Sequence, residues 1–206
     1  MTIPILVDGV AGAPRLALAH GAGGAMDTAW MQRVAAGLAA RGLQVVRFEF
    51  PYMAARREGR RPGPDREHVL LQAWRDLVAQ LGDPGSLCIG GKSMGGRMAS
   101  MVADELAVAG LVCLGYPFHP PGRPERTRTA HLAELRTPAL IVQGARDPFG
   151  TPDDVAGYAL SPSITVHWVE DGDHDLKPRA ASGRTHSQNL DQAMDAAAQF
   201  VQGRGG

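Results

Sequence analysis

Short apolar runs alternate along this chain with stretches whose apolar residues recur at helical spacing. That alternation leaves few folds open. Leu16 to Ala19, Gln44 to Phe50, Ser86 to Gly90, Leu111 to Leu114, Ala139 to Val142 and Ile164 to Val169 predict strands. Between them, Trp30, Val34 and Leu38 mark one helical face from about Asp27, and Leu70, Trp74, Leu77 and Leu81 mark another from near Asp65. A third helix is expected from Met94 to about Val108, a fourth opening at Thr151-Pro152 and a last one from Ser187 to Val201. Runs such as Leu111 to Leu114 are apolar throughout, which suits a sheet buried on both faces. The order predicts an α/β fold: a mostly parallel central sheet with helices on both sides. In such sheets ligands lie beyond the carboxyl ends of the strands, so functional residues are expected just after each strand.

The length, 206 residues, predicts a single domain spanning 1–206. Lys and Arg total 21 and Asp and Glu total 21, a balance that argues against nucleic acid or an anionic membrane as the main partner. Cys88 and Cys113 fall inside apolar runs and predict buried small side chains, not a disulfide or a metal pair. No basic-then-apolar leader stands at the N-terminus, and no apolar run approaches the roughly 20 residues that span a bilayer, so a cytoplasmic location is expected.

One stretch combines a strand, a sharp turn and a helix: Ser86-Leu-Cys-Ile-Gly-Gly-Lys-Ser-Met-Gly-Gly-Arg. Within it, Gly91-x-Ser93-x-Gly95 has the small flanking residues that let a chain reverse around a serine and project its hydroxyl into the crevice. The helix start beyond it offers unpaired N–H groups where an oxyanion would form. Gly91-Lys92-Ser93 also resembles the end of a phosphate-binding loop. That motif requires glycine where Ser86 stands, and a flexible loop where Leu87, Cys88 and Ile89 predict strand, so nucleotide binding is not expected.

A serine hydroxyl needs a base, and the base an orienting acid. His174, in Glu170-Asp-Gly-Asp-His-Asp, directly follows the last strand and is the candidate base. His167 lies within that strand, His131 reads as a surface residue, and His186 is expected to cap the last helix or face solvent. Asp147, just past Ala139 to Val142 and stiffened by Pro148, is the candidate acid; Asp171, Asp173 and Asp175 stand too close to His174 in sequence. The loop His20-Gly21-Ala22-Gly23-Gly24 is expected to supply N–H groups of Ala22 or Gly23 which, with that of Met94, would bind the oxyanion. His20 itself is expected to pack this loop. Tyr116, Phe118 and His119 follow a strand and are expected to wall the substrate pocket. Pro51 to Pro64 is the one candidate for a partial lid. Its Arg56, Arg57, Arg60 and Arg61, with Arg123, Arg126 and Arg128, either ring the pocket for an anionic substrate or simply face solvent, the simpler reading.

Taken together, Gly-Lys-Ser-Met-Gly-Gly-Arg, Gly-Tyr-Pro-Phe-His-Pro-Pro-Gly, Gln-Gly-Ala-Arg-Asp-Pro-Phe-Gly and Glu-Asp-Gly-Asp-His-Asp-Leu resemble a small α/β-hydrolase branch. It is the group related to dienelactone hydrolases that includes testis-expressed hydrolase-like proteins and a hydrolase-like subunit of the NSL chromatin complex. The resemblance implies the α/β-hydrolase fold, and Ser93, Asp147 and His174 as nucleophile, acid and base; the short length is expected to leave no room for a separate cap domain. Dienelactone hydrolases use a cysteine nucleophile where this chain has Ser93, so their substrate is not implied. The expectation is a serine hydrolase acting on a small acyl substrate without metal or cofactor, active as pH rises through the ordinary histidine range near about 6.5. The alternative is a non-catalytic interaction module on the same fold.

Overall fold

Every expected strand forms, and β4, β5 and β6 are buried along their whole length. The computed structural model describes residues 2–204. Strands β1 (Ile5–Asp8), β2 (Arg15–Ala19), β3 (Gln44–Phe48), β4 (Leu87–Lys92), β5 (Gly110–Leu114), β6 (Ala139–Gly144) and β7 (Ile164–Val169) make one seven-stranded sheet in the order β1-β3-β2-β4-β5-β6-β7. All neighbours from β3 to β7 run parallel, and β1 lies antiparallel on β3, Ile5 opposite Phe48.

Helices α1 (Ala29–Ala40) and α6 (His186–Gln202) cover one face. Val34 and Leu38 of α1 and Leu190, Met194 and Val201 of α6 pack there with Leu16, Val45, Val112 and Val142. The other face carries α3 (Glu67–Leu81) and α4 (Met94–Ser100), with the short helices α2 (Pro51–Arg57) and α5 (Pro152–Ala156). Trp74 and Leu77 of α3 meet Ala17, Phe48 and Ile89 in that layer, the Trp74 ring edge-on to Phe48 at 4.8 Å. Burial on this scale stabilises by about 1.5–3 kcal/mol for each large apolar side chain. Cys88 and Cys113 are free and buried in opposite layers.

The structure departs from expectation at four places. The third helix stops at Ser100, not near Val108. The Ser100 hydroxyl turns back onto the Arg97 carbonyl at 2.7 Å, and the following amides of Met101 and Val102 bond three residues back, a tighter turn than the α-helix. Strand β3 ends at Phe48, because Pro51 already begins α2. The segment 51–64 is accordingly no free lid: α2 anchors it through buried Tyr52 and Met53. Strand β1 was not expected at all; its Leu6 and Val7 face solvent, so it lacks the doubly buried pattern of the others. Among the described residues, no helix is long and apolar enough to cross a membrane.

The strand order places the site. From β2 the chain crosses outward to β3, then returns to β4 on the other side of β2. The loops after β2 and β4 therefore diverge and open a crevice between them.

Candidate active site

Ser93 occupies the turn between β4 and α4 with φ 51° and ψ −116°, a backbone region that non-glycine residues rarely enter. The turn is held by the Ser93 N–H, which donates to the Leu114 carbonyl at 3.1 Å. Its tightness requires glycine at 95: a Cβ there would stand 2.6 Å from the His20 carbonyl oxygen. Gly91 meets the Ala19 backbone equally closely, which explains the glycine on each side of the serine.

His174 reaches Ser93 from the loop after β7. Its Nε2 lies 2.9 Å from Ser93 Oγ, and its Nδ1 lies 2.8 Å from Asp147 Oδ2. A carboxylate only accepts, so Nδ1 carries the proton and Nε2 is free to accept the serine hydroxyl. Asp147 is fully buried after β6. Gln143 Nε2 donates to its Oδ2 at 2.9 Å and the Phe149 N–H to its Oδ1 at 2.9 Å, so both carboxylate oxygens are satisfied within the fold. The Phe149 ring also packs on the His174 imidazole, centroids 4.3 Å apart. The arrangement can take a proton from the serine hydroxyl and stabilise the resulting imidazolium.

Across the crevice, the loop after β2 is organised by its carbonyls. His20 Nε2 accepts from the Phe50 N–H at 3.2 Å, so its Nδ1 carries a hydrogen and donates to the Gly21 carbonyl at 2.7 Å. Burial holds the His20 imidazole below its ordinary pKa, in keeping with this neutral form. The Tyr52 hydroxyl donates to the Ala22 carbonyl at 2.9 Å. With these carbonyls tied back, the N–H groups of Ala22 and Gly23 make no hydrogen bond among the described residues, and neither does that of Met94. Gly21 lies against the serine turn, where a Cβ would meet Ser93 Cβ at 3.7 Å.

A cavity of about 380 Å³ opens here. Gly21 to Ala25, Thr28, Trp30 and Met31 form one wall, and Lys92, Ser93, His174 and Asp175 the other. Ala22 and Gly23 thus border it beside Ser93, whereas Tyr116, Phe118 and His119 do not. The expected pocket wall is corrected accordingly. Tyr116 and Phe118 are fully buried and stacked on each other at 4.8 Å, and the Tyr116 hydroxyl is bonded to the Arg128 carbonyl. His119 is buried with Nδ1 on the Pro120 carbonyl at 2.8 Å. The arginines of 51–64 do not line the cavity either; Arg57 is drawn instead to Glu49 at 2.6 Å and Asp27 at 2.8 Å. The cation at the cavity is Lys92.

The other histidines have their own partners. His131 is half-buried and not a surface residue: its Nε2 lies 2.8 Å from Ser100 Oγ. His167 pairs with Gln192 at 3.1 Å, and His186 holds the Asp175 carbonyl at 2.8 Å. Asp171 is engaged by Arg179 and Arg146, and Asp175 by Lys92 at 3.2 Å. Residues missed from sequence are Tyr52, Trp30, Lys92, Gln143 and Phe149. Only Lys92 and Phe149, each within two residues of a candidate, carried a positional signal.

The family described as alpha/beta hydrolase domain matches residues 12–202. Among solved structures, a lid-less a/b serine hydrolase from Xanthomonas campestris is 21% identical with a TM-score of 0.68, over 95% of this chain and 88% of that one. An esterase domain from a Rhodothermus marinus protein matches at 17% identity and a TM-score of 0.70, over 100% of both chains. A monoacylglycerol lipase from Paleococcus ferrophilus matches at 12% identity and a TM-score of 0.71, over 99% of this chain and 100% of that one. At these identities the likeness is one of fold: a mostly parallel sheet clad in helices.

Proposed function

The chain belongs to the alpha/beta hydrolase domain family, and from that membership we propose that it is a serine hydrolase cleaving an acyl ester or related acyl bond. One observation carries the reading: an unbroken hydrogen-bonded path from Ser93 Oγ through His174 to buried Asp147, at 2.9 and 2.8 Å. The resemblance of four motifs to the dienelactone-hydrolase-related branch supports assignment to it. The solved neighbours include an esterase domain and a monoacylglycerol lipase, which supports acyl chemistry.

In the proposed reaction, His174 Nε2 takes the Ser93 proton as Oγ bonds to the acyl carbon. The carbonyl electrons move onto oxygen, which the N–H groups of Met94 and of Ala22 or Gly23 receive. Each such donor is worth about 3 kcal/mol in the transition state. The imidazolium then gives its proton to the leaving oxygen as the carbon–oxygen bond breaks, and the acyl group stays on Ser93. Water repeats the sequence: His174 takes its proton, the hydroxide attacks, and the Ser93 oxygen leaves with the proton returned. Asp147 holds the imidazole in the required tautomer throughout. The cavity volume of about 380 Å³ fits a small acyl substrate. We propose a cytoplasmic single-domain enzyme acting without metal, cofactor, nucleic acid or membrane.

The test is labelling with a fluorophosphonate probe, joined to a panel of acyl esters of varied length and charge. Modification is expected at Ser93 and is lost in Ser93→Ala and His174→Ala, with turnover down by at least about 10⁴-fold. A folded wild-type chain that neither labels nor turns over any ester would overturn the reading in favour of an interaction module.

A further inference from the structure

The mechanism makes no use of Lys92, yet its ammonium is the cation at the cavity that Ser93 and His174 also line. Lys92 is the last residue of β4, so its backbone leads directly into Ser93. Its side chain is only 10% exposed. The Nζ donates to the backbone carbonyl of His174 itself, pairs with Asp175 Oδ1 at 3.2 Å, and stands 5.4 Å over the Trp30 ring. Space for this approach exists because residue 115 is glycine: a Cβ there would lie 2.9 Å from the His174 carbonyl oxygen and 3.1 Å from Lys92 Nζ.

The loop that carries His174 has its own ties on either side of that residue. Arg146 donates to the Asp171 carbonyl at 3.0 Å, and the Asp173 N–H to the Lys177 carbonyl at 3.0 Å. Trp30 and His186 hold the carbonyl of Asp175. At His174, the backbone carbonyl is gripped by Lys92, from the strand that ends in the nucleophile. A buried ammonium retains its charge only with partners. Burial lowers the Lys92 pKa and Asp175 opposes that fall.

We propose that Lys92 is a positioning residue of the reaction, its ammonium fastening the backbone of the base to the strand of the nucleophile, with Asp175 holding the ammonium in place. The inference rests on the hydrolase reading above. It assigns Lys92 no contact with the reacting atoms; it acts through His174.

Lys92→Met removes the charge and both polar contacts while keeping an apolar stem of similar length. Loosening the base by a fraction of an ångström to an ångström costs on the order of 10- to 100-fold in kcat, with KM within about twofold. The discriminating measurement is a double-mutant cycle on turnover and on fluorophosphonate labelling. Because Lys92 acts through the imidazole, Lys92→Met is expected to add no further loss in a His174→Ala background. Multiplying losses would overturn the proposal, as would a defect confined to KM for carboxylate-bearing esters, which would make Lys92 a substrate contact. Asp175→Ala, at an exposed position, serves where Lys92→Met does not fold: its kcat is expected to fall roughly threefold at constant KM, and an unchanged kcat overturns the proposal. An inactive wild-type chain overturns the hydrolase reading itself. An active wild type matched by Lys92→Met overturns this inference alone.

Discussion

The loops after β2 and β5 flank β4 on either side, yet one opens a cavity and the other closes the space completely. Past β2 stand Gly21, Ala22, Gly23, Gly24 and Ala25, with no side chain larger than a methyl, and their carbonyls at 21 and 22 are tied back by His20 and Tyr52. Past β5 stand Tyr116, Phe118 and His119, all buried: Tyr116 packs on Phe118, and Phe118 and His119 each pack on Tyr158. Sheet topology offers both positions to a ligand. Side-chain volume decides which is used, so Ser93 faces an opening on one flank and a packed wall on the other.

The comparison breaks most visibly if the filled flank is emptied. Phe118→Ala removes a ring from a site with no solvent access and leaves a cavity, with a cost of about 3–5 kcal/mol. A fall in Tm on the order of 10 °C is expected in calorimetry. The molecules that remain folded should keep the wild-type KM. A changed KM at unchanged Tm would mean that this flank binds substrate after all.

The open flank is organised by hydrogen bonds more than by volume, so its lesion should be kinetic. Tyr52→Phe deletes the bond to the Ala22 carbonyl and lets that peptide rotate away from Ser93. Loss of one well-aimed oxyanion donor costs about 10²- to 10³-fold, and partial misalignment about tenfold in kcat. The stability cost should stay near 1 kcal/mol. Ester kinetics with a parallel unfolding curve separate the two effects; a stability loss without a kcat loss would remove Tyr52 from the functional description.

This asymmetry also explains what could be read from the chain. Ser93, Asp147 and His174 were legible because each stands at a strand end marked by its own local chemistry: glycines around the serine, Pro148 after the aspartate, Gly172 before the histidine. The helical layers were legible from periodicity at Val34 and Leu38 or Trp74 and Leu77. Tyr116, Phe118 and His119 were misassigned because standing after a strand fixes which end of the sheet a residue occupies, not whether its side chain turns into the core or the crevice. Tyr52 was hidden for the opposite reason. It reaches the loop after β2 only because α2 folds over it, a contact 30 residues apart in sequence. The early end of α4 depended on a single hydroxyl, that of Ser100, turning back on its own helix.

The finest test of the comparison uses one histidine from each flank. His20 supports the open loop, and His131 lies beneath the filled one, 3.4 Å from the Tyr116 hydroxyl. Burial lowers the pKa of both, with Arg97 adding to the effect at His131. The sign follows from linkage: below about pH 6.5 the unfolded chain binds protons that the folded chain refuses, so stability falls as pH falls. Each histidine contributes a loss that sets in as pH falls through about 6.5 and grows until the folded-state imidazole is itself protonated. Chemical unfolding across that range is expected to give a slope that diminishes in His20→Gln and, separately, in His131→Gln. The two should part company in activity. Gln at 20 disturbs the Phe50 and Gly21 contacts that set the proposed oxyanion loop, so kcat should fall severalfold; Gln at 131 should leave kcat and KM as they are. Equal kinetic effects from both substitutions would mean that the two flanks are mechanically one, and that the packed wall helps to aim the oxyanion loop.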